Sequence, residues 1–161
     1  DGPTDEPRQR WGTQTATGTI VVGVDGSEAS AAALRWAVAE ARLHGAKVRV
    51  VHAWHLPLLP GGEASSVDPQ YVELRRQDAE AVLAQALAQI GDEAGIEVES
   101  AALEGRPASA LVREAESADL LVVGSRGHGG FTGLLLGSVS QQCAHHAPCP
   151  VAIVRAPAAE G

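Results

Sequence analysis

The run Leu120-Leu121-Val122-Val123-Gly124-Ser125-Arg126-Gly127, followed after nine residues by Gly137-Ser138-Val139-Ser140, decides how this chain is read. Leu120 to Val123 is a short, fully apolar run and predicts a buried strand. Ser138 to Ala147 predicts a helix. Six glycines, at 124, 127, 129, 130, 133 and 137, therefore fall in one strand-to-helix connection. A helix start carries unpaired backbone N–H groups and the positive end of the helix dipole, which together favour an anion. Glycine lets backbone approach a ligand without an intervening Cβ. The hydroxyls of Ser138 and Ser140 are expected to add donors there. At Gly127 and Gly137 a Cβ is expected to intrude on a phosphate, and any positive φ would be penalised. The stretch reads as a cradle for a nucleotide phosphate. It is not a P-loop, because the required lysine is missing. Nor is it a dinucleotide fingerprint, because the first strand-turn lacks G-x-G-x-x-G.

Upstream, the same strand-then-helix unit recurs. Thr19 to Val24 is β-branched and predicts a buried strand. Asp25-Gly26-Ser27 makes a turn, and Ser27 is placed to cap a helix running to about His44. Leu34, Ala37, Val38 and Ala41 keep one face of that helix apolar, and Gly45 stops it. Val48 to Trp54 is a second strand. The Pro- and Gly-rich segment from His55 to Asp68 is too long for an ordinary connection and reads as a functional loop. Asp68-Pro69 opens a helix expected to reach Ala94, with Gly95 as its stop. Ile96 to Leu103 alternates in character and suits a half-exposed edge strand. Pro107 opens a short helix with Leu111, Val112 and Ala115 inward. Val151 to Val154 is the last strand. The order βαβαβαβαβ predicts a doubly wound α/β domain, a parallel sheet with helices on both faces. Such sheets receive ligands beyond the strand C-termini, where the strand order switches. Were the first strand to lie beside the fourth, Asp25, the end of strand two and the glycine loop would meet there.

Domain limits follow from composition. Residues 1–18 are polar and aperiodic, with Trp11 as their one large apolar residue, and read as a disordered tail. Residues 19–156 form the single domain, and 157–161 a short C-terminal tail. The chain has 161 residues and a formal net charge of −8, with 20 acidic against 12 basic side chains. That balance argues against nucleic acid or an anionic membrane as partner. No apolar run approaches the about 20 residues of a membrane span, and no signal-peptide core stands at the start. Cys143 and Cys149 are too few for a disulfide framework, so a reducing cytoplasm is expected.

Each candidate site residue has a plainer alternative. Asp25 could cap the first helix, accept hydrogen bonds from ribose hydroxyls, or help hold a metal carried by the phosphates; no other side chain is read as a metal ligand. Arg126 and His128 could screen phosphate charge or lie solvated in the loop. Cys143, His145, His146 and Cys149 lack the paired spacing of a structural zinc site. His52, mid-strand, reads as a hydrogen-bonded core histidine rather than a catalytic one. No G-x-S-x-G elbow supports a hydrolase triad.

The pattern G-x2-G-x9-G-[ST] at Gly124, Gly127, Gly137 and Ser138, continued by Val139-Ser140, resembles the universal stress protein family. Val22-Gly23-Val24-Asp25-Gly26-Ser27, Val51-His52-Ala53 and Ala147-Pro148-Cys149-Pro150-Val151 are similar to the family's strand ends. The resemblance covers about Thr19 to Arg155. It implies a five-stranded sheet of order 3-2-1-4-5, a homodimer and, in the branch bearing this motif, ATP binding with Mg2+ or Mn2+ carried by the phosphates. It further implies that Asp25 and Gly124 hold the ribose and that backbone near Val24 and Ala53 meets adenine. Gly127, Gly137, Ser138, Val139 and Ser140 would hold the phosphates. Gly23 stands where some members have proline and Ala53 where valine is common, which loosens the adenine slot. The expectation is a cytoplasmic, adenine-nucleotide-binding stress-response regulator, not an enzyme, that dimerises through the edge strand Val151–Arg155. The alternatives are a cAMP-binding protein of the same fold, a slow ATPase or nucleotidyl-transfer enzyme using Asp25 and a metal, and a dimerisation module with an empty pocket.

Overall fold

The computed structural model describes residues 18–56, 67–91, 95–126 and 136–157. Its elements run β1 (Thr19–Gly23), α1 (Glu28–His44), β2 (Lys47–Trp54), α2 (Pro69–Ile90), β3 (Val98–Glu104), α3 (Pro107–Ala115), β4 (Leu120–Gly124), α4 (Ser138–His146) and β5 (Val151–Val154). The five strands form one sheet of order β3-β2-β1-β4-β5, and every neighbouring pair is parallel. The expected architecture and strand order are both present.

Alternation along each strand divides the core between the two faces of the sheet. Ile20, Val22, Val48, Val50, Leu120 and Val122 point to the face covered by α1 and α2. Val21, Val51, Leu121 and Val123 point to the other, where Leu111 and Ala115 of α3 and Cys143 of α4 meet them. The central strand is consequently β-branched on both sides, and Ile20, Val21 and Val22 have no exposed surface. The helices are small-residue helices: Ala29, Ala32, Ala33, Ala37 and Ala41 of α1 are all buried, which brings that helix close to the sheet.

Local signals set most boundaries. Ser27 caps α1 by accepting from the Ser30 N–H at 3.2 Å, and Gly45 ends it at φ +65°, a left-handed conformation that suits glycine. Asp68 caps α2 through the Gln70 N–H at 2.9 Å, with Pro69 in the first turn. Some boundaries differ from expectation. Helix α2 ends at Ile90 rather than near Ala94, because Gly91 already turns left-handed at φ +60°. The third strand also starts later, at Val98; Ile96 precedes it yet packs on the core.

At the N-terminal end of the sheet, Arg49 donates from Nε to Glu114 at 2.7 Å and lies 3.6 Å from Glu99. Lys47 lies 3.3 Å from Glu99. This network ties α3 to β2 and β3 at the end opposite the crevice. The Glu114 hydrogen bond, ahead of the opposing effect of burial, raises the Arg49 guanidinium above its ordinary value.

Candidate functional site

Beyond the C-terminal ends of β1, β2 and β4 lies a cavity of about 270 Å³. Three segments that follow strand ends line it, as a parallel sheet with β1 between β2 and β4 requires, and α3 adds a fourth wall.

The first segment is Gly23-Val24-Asp25. The ladder continues one residue past β1, with the Val24 N–H donating to Val51 O at 2.9 Å. The chain then turns. The Asp25 N–H donates to Ser30 Oγ at 3.2 Å, and Asp25 Oδ1 accepts from the Ser27 N–H at 2.9 Å. This carboxylate braces the turn that opens α1, while Ser27 and not Asp25 is the helix cap, and it also lines the cavity. The two roles coexist because a carboxylate has two oxygens.

The second segment is Val51-His52-Ala53. His52 Nδ1 lies 2.7 Å from Val24 O. A carbonyl only accepts, so this geometry requires the proton on Nδ1. The ring thereby ties the ends of β1 and β2 together, in keeping with a hydrogen-bonded histidine.

The third segment is Val123-Gly124 with Ser125 and Arg126, continued across the loop by Gly137 and the first turn of α4. A Cβ on Gly124 would come within 2.7 Å of the Ala29 carbonyl carbon and 2.8 Å of the Ser30 nitrogen. Those are backbone atoms of α1, so only glycine lets the helix start lie against the end of β4. Ser125 O gathers the far side of the loop: it accepts the Gly137 N–H at 2.6 Å and the Ser140 hydroxyl at 3.0 Å. Ser140 Oγ also lies 2.9 Å from Gly137 O and is buried. The Ser140 hydroxyl hydrogen is thus directed at carbonyls, and in this arrangement its residue offers an anion its N–H. Gly137 is the N-cap of α4 with φ −77° and ψ 170°, and no side chain caps the helix. The left-handed argument for glycine does not apply there, since any residue adopts that backbone. The first-turn N–H groups of Ser138, Val139 and Ser140 are left without a capping side chain beside the cavity.

Val24, Asp25, Ala53, Gly124, Arg126, Gly137, Ser138, Val139 and Ser140 therefore line one cavity. Gly127 and His128, like Trp11, lie outside the described residues. Sequence reading missed the wall supplied by α3, Pro107 and Leu111. The signal available for it was Gly23, an isolated glycine in a strand, which marks close approach by another element. Among the described residues, no group of three or more His, Cys, Asp or Glu side chains could hold a metal. Cys143 is fully buried, and burial, helped by the nearby Cys149 thiol, pushes its thiol up from 9.0 to about 11. His145 and His146 are exposed.

Comparison with known proteins agrees with the fold. The family model described as "Universal stress protein family" matches residues 17–155. A universal stress protein of Thermus aquaticus, encoded in the QAH/OAS sulfhydrylase 3' region, is 41% identical over 140 residues, covering 85% of this chain and 98% of the relative. Universal stress protein Rv2005c of Mycobacterium tuberculosis is 40% identical over 140 residues and 84% of this chain, which spans only 45% of that relative's length. Among solved structures, a universal stress protein in complex with cAMP superposes with a TM-score of 0.66 at 31% identity, over 89% of this chain and 100% of that one. The universal stress protein of Archaeoglobus fulgidus in complex with dAMP gives a TM-score of 0.60 at 30% identity, over 84% and 96% of the two chains. With the fold, the strand order and the match over nearly all of its length in agreement, this chain belongs to the universal stress protein family.

Proposed function

We propose that this chain is an ATP-binding stress-response regulator of the cytoplasm that acts as a homodimer. The observation that carries the reading is the first turn of α4, without a capping side chain, beside a cavity that Asp25 also lines. The helix start, with the N–H groups of Ser138, Val139 and Ser140, would receive phosphate oxygens. Asp25 and the Gly124 backbone would hold the ribose, and backbone at Val24 and Ala53 the adenine edge. Arg126, Gly127 and His128 would attend the outer phosphates, with Mg2+ or Mn2+ carried by the phosphates themselves.

A second reading has its own support. The related structures named above hold cAMP and dAMP, each with a single phosphate. A cyclic or simple monophosphate would engage the α4 turn without the outer loop. Titration of ATP, ADP, AMP and cAMP into the purified protein separates the readings. Tightest binding of ATP supports the first, and tightest binding of cAMP replaces it with the second.

The reading as a binder rather than an enzyme rests on what phosphoryl transfer needs: a cation on the transferring group and a positioned nucleophile. Lys47, the only lysine, sits at the opposite end of the sheet and is paired with Glu99. The hydroxyl of Ser140 is turned to carbonyls. Product formation from ATP at roughly 10 per second, lost in Asp25→Asn, would overturn the binder reading.

A further inference from the structure

The bond from His52 Nδ1 to Val24 O, at 2.7 Å, lies just past the last paired residues of β1 and β2, Gly23 and Val51. It stands where the sheet would otherwise have another rung. Backbone groups of successive β2 residues face its two neighbours in turn. On the β1 side, the Lys47 N–H donates to Gly18 O at 3.0 Å, and Val51 O accepts from the Val24 N–H at 2.9 Å. On the β3 side, the Val48 N–H donates to Glu97 O at 2.9 Å, and Trp54 O accepts from the Gly105 N–H at 2.7 Å. Ala53 therefore turns its N–H and C=O toward β1. A continued parallel ladder would send that N–H to Val24 O. Among the described residues no backbone bond joins the two, and Val24 O has the His52 ring instead. Ala53 lines the cavity, at the level where the chain after β1 has turned away through Asp25.

Given the nucleotide reading above, we propose that His52 is a positioning residue: by donating to Val24 O it ends the β1–β2 ladder one rung early and keeps the Ala53 N–H and C=O open to the cavity for the edge of a bound base. Val24 is only 5% exposed, and a buried carbonyl needs a partner. Two donors compete for this one, the His52 ring and the Ala53 N–H. While the ring supplies the donor, the backbone N–H is left for a ligand. With the ring donor removed, the rung closes and the N–H is consumed within the sheet. The role depends on a proton at one place, Nδ1. An asparagine amide nitrogen, which is also bonded to Cγ, can stand in that place. Glutamine sets its amide one bond further out, and phenylalanine keeps the ring without a donor.

The test joins amide hydrogen exchange of the ligand-free protein, read by NMR, to calorimetric titration of AMP and ribose 5-phosphate. Both are run on the wild-type chain, His52→Phe, His52→Asn and His52→Gln, with folding checked by circular dichroism. In the wild-type chain the Ala53 N–H is expected to exchange rapidly, unlike the paired amides of β2. In His52→Phe it should become protected as the rung closes. AMP should then weaken about tenfold, the factor that one hydrogen bond of ordinary net strength carries, while ribose 5-phosphate, held on Asp25 and α4, is unchanged. His52→Asn should restore both the open amide and the AMP affinity, and His52→Gln should restore neither, which keeps the test sound should His52→Phe fail to fold. A ring that merely packs would give the reverse order, with phenylalanine tolerated and asparagine not. That order, an Ala53 N–H already protected in the wild-type chain, or equal losses of AMP and ribose 5-phosphate in His52→Phe would each overturn the role of His52. A folded wild-type chain that binds no AMP would overturn the nucleotide reading and the base-edge role with it, while the exchange data would still decide whether His52 holds the rung open.

Discussion

Gly124 illustrates how one residue serves packing and site together. Its missing Cβ lets the start of α1 lie against β4, and that contact places Asp25 and Ser30 at the cavity wall. Gly124→Ala should therefore destabilise the fold by about 1–3 kcal/mol through overpacking against backbone that cannot step aside, read as a lowered denaturation midpoint. Ser140 closes the loop between β4 and α4 through its bonds to Ser125 O and Gly137 O. Ser140→Ala should cost about 1 kcal/mol, and an unchanged midpoint in chemical denaturation would contradict the bracing role. Cys143 gives a pH signature. Its pKa is raised on folding, so its contribution to stability is complete below 9.0 and is lost as pH rises toward about 11. Cys143→Ala should flatten the alkaline limb of a stability-against-pH curve, and an unaltered limb would show that another group causes it. At this scale the sequence was legible where a residue type is demanding. Glycines in a strand-to-helix connection and serines at a helix start pointed to the segment that lines the cavity. It was not legible which of a residue's groups faces the cavity: nothing in the string Gly137-Ser138-Val139-Ser140 says that the last hydroxyl turns to a carbonyl 15 positions upstream.

Elements were easiest to read where cap, stop and periodicity agree. Ser27 and Gly45 bracket α1 as expected, whereas Gly95 reads as the stop of α2 and Gly91 precedes it. Gly91 took the left-handed turn first, with Gly95 also at positive φ beyond it; apolar periodicity alone did not rank them. The α3 wall of the site was invisible for a related reason. A helix seen in isolation shows which face is apolar, but not that Leu111 stops on a strand residue lacking a Cβ. The last strand carries the assembly prediction. β5 pairs with β4 on one side only, and its four residues are all half-buried. An open apolar edge is a liability that symmetric pairing removes. Ile153→Asp is expected to shift the chain from dimer to monomer in light scattering at micromolar concentration. A wild-type chain that is already monomeric under those conditions would contradict the proposed homodimer.

For the whole molecule, the alternation of strand and helix was enough to specify a parallel sheet covered on both faces, because a right-handed crossover leaves few other arrangements. The strand order came from the family resemblance, and the sheet has that order. The order matters to function because it places the ends of β1 and β4 side by side, which gathers Asp25 and the α4 turn from more than a hundred positions apart. The net charge of −8 predicts that duplex DNA is not bound at physiological salt; a low-micromolar gel shift that persists there would contradict it. The central claim is that an adenine nucleotide sits in this cavity with its phosphates on the start of α4. Calorimetric titration of ATP into the wild-type chain and into Gly137→Val tests it most directly. The backbone angles at residue 137 are ones valine adopts, so the variant is expected to fold with a branched side chain at the proposed phosphate site. Saturable binding by the wild-type chain that is abolished in the folded variant is the predicted result; equal affinity in both would contradict the assignment of the site.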